Sequence, residues 1–184
     1  MERTQNYTTK AKASLIYKGV LGFLGLMGLL MNFGIFKGQC DLNLLNYFTT
    51  LSGAMVVVWL IAYLIYVAIN KGSVDVEGTV WCPAWKYASM MAITVTLLVA
   101  HFLLGGGIWY DELGNFNWQT PILHYILPIG FIIDWLIFDK KGSLKLAHVG
   151  TGLLMPIAYL AYVMIRVNVF QSSFNLVDGS RYPY

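Results

Sequence analysis

LNYFTTLSGAMVVVWLIAYLIYVAI, residues 45–69, runs for twenty-five positions without a charged side chain. A helix crosses the hydrocarbon of a bilayer with roughly 20 apolar residues, so this stretch reads as a membrane span. Four more stretches of that kind flank it, at 13–36, 84–108, 119–138 and 145–169. The chain as a whole is 58% hydrophobic and 11% charged, where soluble domains carry about 25% charged residues. A bilayer is therefore the expected solvent. Backbone polar groups in lipid must be satisfied within the segment, which favours helices, and the alternation expected of barrel strands is missing. The expected fold is all-α: a polytopic transmembrane helical bundle of about five spanning helices, forming one integral membrane domain over 1–184. The first apolar run is too long for a signal-peptide core and reads as a retained span.

The net charge of +3 is small and scattered, which argues against a nucleic-acid partner. Cys40 and Cys82 form no metal or redox spacing and there is no HExxH motif, so neither metal nor cofactor is expected. Basic residues in the flanks set orientation. Arg3, Lys10, Lys12, Lys71, Lys86, Lys140, Lys141 and Lys145 collect on one side, against Lys37 and Arg181 on the other. That asymmetry predicts a cytoplasmic N-terminus and an external C-terminus, with Lys18 and Arg166 snorkelling from within their spans. It also places the two cysteines on opposite sides. Gly19, Gly22, Gly25 and Gly28 suggest close helix packing in the first span, or a groove for a lipid chain. Pro156 is expected to bend the last span.

Polar side chains inside the spans carry the functional signal. At 1.5 Å of rise per residue, Thr49 lies roughly 6 Å below the outer end of its span, His124 roughly 7 Å and His101 roughly 10 Å. The three are expected to share one layer. Asp134 lies roughly 22 Å down, and an ionisable group at that depth needs a cavity or a partner; His148 is one candidate. Pro128 follows His124 by four residues and frees the carbonyl of that position, which favours a polar pocket there. Each feature also has a plain structural use. Membrane Thr and Ser commonly bond their own backbone or join two helices.

LLNYFTTLS at 44–52, HYILPIGFIIDWLIF at 124–138 and YPY at 182–184 together resemble the androgen-induced membrane-protein family, in its bacterial branch. The animal members are hydrolases of fatty acid esters of hydroxy fatty acids. The resemblance implies that Thr49 and His124 are the catalytic pair, and that the partner is a lipid or fatty-acid ester within the bilayer. It also implies a bacterial cell membrane as the location. Two departures stand out: Gly53 occupies a position where bacterial relatives often carry Asn, and Asp134 one where animal members tend to have Glu.

That chemistry requires an activated hydroxyl, because threonine is a poor nucleophile until a base takes its proton. His124 is the candidate base and later the proton donor to the leaving alcohol. Asn46 and Ser52, near Thr49 on a similar face, are candidate oxyanion donors, with His101 a further substrate contact. Asp134 is expected to be an interior polar group, structural or at the bottom of an acyl tunnel. The competing expectation is a lipid-binding or transport protein that holds a head group in the same polar layer. Oligomeric state is not legible.

Overall fold

Thr8 opens the first helix. Its hydroxyl oxygen accepts the Ala11 N–H at 3.1 Å, satisfying one donor that a helix N-terminus leaves open. Helix α1 then runs Thr9–Asn32 and stops where Gly34 takes positive φ, a conformation that costs glycine little. Helix α2 is Phe48–Ile69. Helix α3, Pro83–Leu104, begins on a proline whose missing N–H is not needed there and ends in a π-helical turn at Ala100–Leu104. Helix α4, Gln119–Phe138, contains a second π-turn at Ile122–Ile126. Helix α5 is Leu146–Asn168. The computed structural model describes residues 7–38, 40–70, 74–77, 80–104, 109–110, 114–142 and 146–169, and only the backbone of 42 and 146–149. Residues 105–108, Lys145, Arg181 and the YPY segment lie outside them.

All five helices are long and apolar enough to cross a membrane, and among the described residues there is no strand. The all-α bundle expected from the sequence is what the chain forms. Three boundaries differ by more than one residue among the described residues. The second helix begins at Phe48 rather than 45, because Leu42–Asn46 form a 3-10 turn capped by the Asp41 carboxylate. The first begins at Thr9 and ends at Asn32, four residues earlier than expected at each end. Trp59 and Leu60 of α2, Ile93 of α3, and Leu127 and Phe131 of α4 form the buried core. Ile16, Phe23, Leu154 and Ile157 face outward, as suits an apolar solvent. Cys40 and Cys82 are exposed and free, at opposite ends of α2.

The glycine ridge of α1 divides in use. A Cβ on Gly25 would lie 2.7 Å from Val57 Cγ2 and 2.9 Å from Leu127 Cδ1, and one on Gly28 would lie 2.6 Å from Ile122 Cγ2. Gly19 has nothing within 4 Å. Close packing against α2 and α4 is therefore the role of Gly25 and Gly28, and Gly19 takes no part. Gly25→Ala is expected to cost about 1–3 kcal/mol by overpacking, with Gly19→Ala neutral or slightly stabilising. Thermal unfolding of the two variants in the same detergent checks this contrast.

Asp134 is the interior polar group expected from the sequence, and its partners are two lysines that were expected elsewhere. It is fully buried, with Lys18 Nζ 2.7 Å from Oδ1 and Lys86 Nζ 2.6 Å from Oδ2. Lys86 also reaches Asp139 Oδ1 at 2.6 Å, and Lys18 donates to Ser14 Oγ at 2.7 Å. Lys18 does not snorkel; it turns inward, 3% exposed. Lys86, expected in a solvated flank, is buried with its ammonium 4.8 Å from the Trp59 ring centroid. Two ammonium and two carboxylate groups thus join α1, α3 and the far end of α4. The His148 side chain lies outside the described residues.

Candidate active site

Thr49 sits in the first turn of α2 because the chain arrives there extended: Tyr47, at φ −90° and ψ 137°, is the N-cap. Tyr47 makes no capping bond through its side chain, and Leu51 N–H to Tyr47 O at 3.2 Å is the first bond across that boundary. The N–H groups of Phe48, Thr49 and Thr50 precede it, donors to which the start of a helix gives no intrahelical partner. Position 49 therefore combines a hydroxyl with the positive end of a helix dipole.

His124 meets Thr49 across the helix pair, with Nε2 3.3 Å from Oγ1. Its other nitrogen, Nδ1, lies 3.1 Å from the Thr120 carbonyl oxygen. A carbonyl only accepts, so Nδ1 carries hydrogen and Nε2 of the neutral ring presents a lone pair to the Thr49 hydroxyl. The π-turn makes this possible. Leu127 N–H reaches back five residues to Ile122 O instead of four, which leaves the helix locally wound for His124 to bond the Thr120 carbonyl. Pro128, next along, has no N–H to restore the α-helical pattern.

A cavity of about 290 Å³ opens on the other side of Thr49. Phe48 of α2, Val95 and Val99 of α3, and Pro156 and Tyr159 of α5 form its walls. Leu103 and Leu160, also at its edge, are 77% and 62% exposed, so the cavity opens sideways through the surface that faces lipid. Its volume is near the roughly 300 Å³ lower limit of small-molecule pockets. Pro156, expected to bend its helix, lies within an uninterrupted α5 and shapes this wall.

The remaining candidates fall elsewhere. Ser52 is fully buried; its hydroxyl lies 3.1 Å from the Thr49 carbonyl and 2.7 Å from Thr96 Oγ1 on α3. Those bonds use its hydroxyl to join α2 to α3. Asn46 precedes α2 rather than sitting on a helical face with Thr49. Its Oδ1 accepts from Tyr162 at 2.6 Å and its carbonyl from Tyr159 at 2.9 Å, tying the turn to α5. Arg166 extends the chain, donating to Tyr162 at 2.8 Å. His101 lies in the π-turn, is exposed, and packs edge-on to Phe102 and Tyr125. Thr50, buried 100° around from Thr49, accepts from Asn32 Nδ2 at 3.1 Å and links α1 to α2. Asp134 belongs to the Lys18–Lys86 cluster and is not among the residues that line the cavity beside Thr49.

Two features escaped sequence reasoning. The Thr120 carbonyl is a backbone group, visible only once the π-turn is known. The open N–H groups of α2 required knowing that the helix starts at Phe48. Among the described residues no group of three or more His, Cys, Asp or Glu is placed to hold a metal ion. Comparison with protein-family models, with curated proteins and with solved structures finds no match.

Proposed function

We propose that this protein is an intramembrane hydrolase of lipid esters, with Thr49 as nucleophile and His124 as general base. The observation that carries the reading is the approach of Thr49 Oγ1 to His124 Nε2 at 3.3 Å, beside an apolar cavity of about 290 Å³. His124 Nε2 takes the hydroxyl proton as Oγ1 attacks the ester carbonyl. The oxyanion meets backbone N–H groups in the first turn of α2. Collapse of the tetrahedral intermediate breaks the ester C–O bond, and His124 returns the proton to the departing alcohol. Water, deprotonated by the same imidazole, then cleaves the acyl-threonine. The fatty acid leaves and both side chains are regenerated. The acyl chain occupies the sideways cavity, so substrate comes from the bilayer. A fluorophosphonate probe and a lipid-ester turnover assay on wild type and Thr49→Ala test this.

The second reading is a lipid-binding or transport protein, in which Thr49 and His124 hold a head group and cleave nothing. It is favoured by the commitment of the Ser52 hydroxyl to its bond with Thr96. Bound lipid with no ester cleavage by wild type would select it.

We further propose that the Thr49 end of the bundle lies at the external face, from the basic asymmetry of the flanks, and that the membrane is a bacterial cell membrane, as the family resemblance implies. A membrane-impermeant thiol reagent on intact cells is expected to modify Cys40 and spare Cys82 until the membrane is opened. The reverse pattern inverts the topology.

A further inference from the structure

The proposed chemistry makes no use of Asp139, at the opposite end of the bundle from Thr49. Asp139 follows the last residue of α4, where the backbone turns extended. Its side chain is 7% exposed. Lys86 Nζ holds Oδ1 at 2.6 Å, whereas Oδ2 is buried and meets no donor among the described residues. A carboxylate with one oxygen desolvated and unpaired is costly. Its neutral acid sheds most of that cost.

The surrounding charges single out this carboxyl. Lys86 faces it from α3, Asp134 from its own helix, Lys18 from α1 and the Tyr63 phenol from α2. Asp134 cannot change charge without stranding Lys18, for which it is the carboxylate partner. Protonating Asp139 also leaves the cluster with one excess positive charge, but both lysines keep Asp134 as a counter-charge, at 2.7 and 2.6 Å. Burial pushes the Asp139 carboxyl up from its ordinary value, with the two lysines opposing and Asp134 reinforcing the shift.

We propose that Asp139 is a proton-operated latch between the end of α4 and the start of α3. Ionised, it ties its turn to Lys86 in the first turn of α3. Protonated, it surrenders the ionic bond, and the first turn of α3 is held by Asp134 alone. The sign of the stability effect follows. A carboxyl whose folded value lies above its unfolded one binds extra proton in the folded state within that window. Its contribution favours the fold below the window and is lost as pH rises through the folded value.

Cys82 is the natural reporter: exposed, at the N-cap of α3, four residues before Lys86. A Cys40→Ser protein carrying an environment-sensitive dye on Cys82 would be titrated in lipid nanodiscs. Infrared spectra of the unlabelled wild type would be followed for the protonated-carboxyl stretch over the same range. The expected result is a dye transition centred above the ordinary aspartate range, matched by a carboxyl band, absent in Asp139→Asn and retained in His148→Gln. The histidine variant is needed because that side chain titrates at about 6.5 when unperturbed. A dye transition that survives Asp139→Asn, or disappears in His148→Gln, overturns the latch. If Asp139→Asn does not fold, the wild-type infrared titration decides: a band disappearing above the ordinary range upholds the proposal, and its absence refutes it.

Discussion

Thr49→Ala is expected to reduce lipid-ester turnover on the order of 10³-fold or more, the scale seen when a nucleophile is removed from a working unit. His124→Ala should cost about 10²–10⁴-fold, the usual contribution of a general acid–base group. Because the two act as one unit, the double variant should be little worse than Thr49→Ala alone. Apparent substrate affinity should change less than turnover, since the walls of the cavity remain. Thr49→Ser keeps a hydroxyl within reach of Nε2 and should retain measurable activity. Thr50→Ala and Ser52→Ala are the controls. Their hydroxyls are bound to Asn32 and Thr96, so they should lose stability while turnover stays within about tenfold, well short of the general-base loss. Turnover and probe labelling on detergent-purified, monodisperse protein check the series. Normal turnover by a folded Thr49→Ala protein would sink the mechanism.

The bundle was legible because one physical rule dominates it. Length and apolarity specify a span whatever it packs against, so 45–69 and 119–138 announced themselves without knowledge of any neighbour. The approach of Thr49 to His124 was half legible: rise per residue gave their depth, and nothing in a single sequence gave their azimuth. His101 shows the limit of depth alone. It was expected in that layer, yet it is exposed and lies in a π-turn that no local residue pattern signals. The partners of Ser52 and Asn46 were illegible for another reason. Nearness along a helix said nothing of Thr96, Tyr159 and Tyr162, partners contributed by distant segments. Lys18 and Lys86 were misread because a lysine near a span end ordinarily escapes to the interface. Here each finds a carboxylate from another helix, and the pairing outweighs the escape.

That pairing supports the largest stability effect expected. Asp134 is the hub of the cluster, accepting from both lysines. Asp134→Asn would leave Lys18 and Lys86 facing one remaining carboxylate, Asp139, which contacts Lys86. The buried cluster goes from neutral to one excess positive charge, with Lys18 keeping only the Ser14 hydroxyl. Breaking a buried ion pair by removing one partner costs about 3–5 kcal/mol. A marginally stable bundle loses much of its folded population at that cost. The cause is separable from lost packing. Lys18→Met removes the stranded ammonium, so Asp134→Asn with Lys18→Met leaves a neutral Lys86–Asp139 pair. The double variant should therefore be more stable than Asp134→Asn alone, a coupling on the order of 0.5–3 kcal/mol. Denaturant unfolding of the four proteins in one detergent measures it. Additive losses would mean that shape rather than charge balance holds this end of the bundle, and the latch at Asp139 would then have no counter-charge network on which to act.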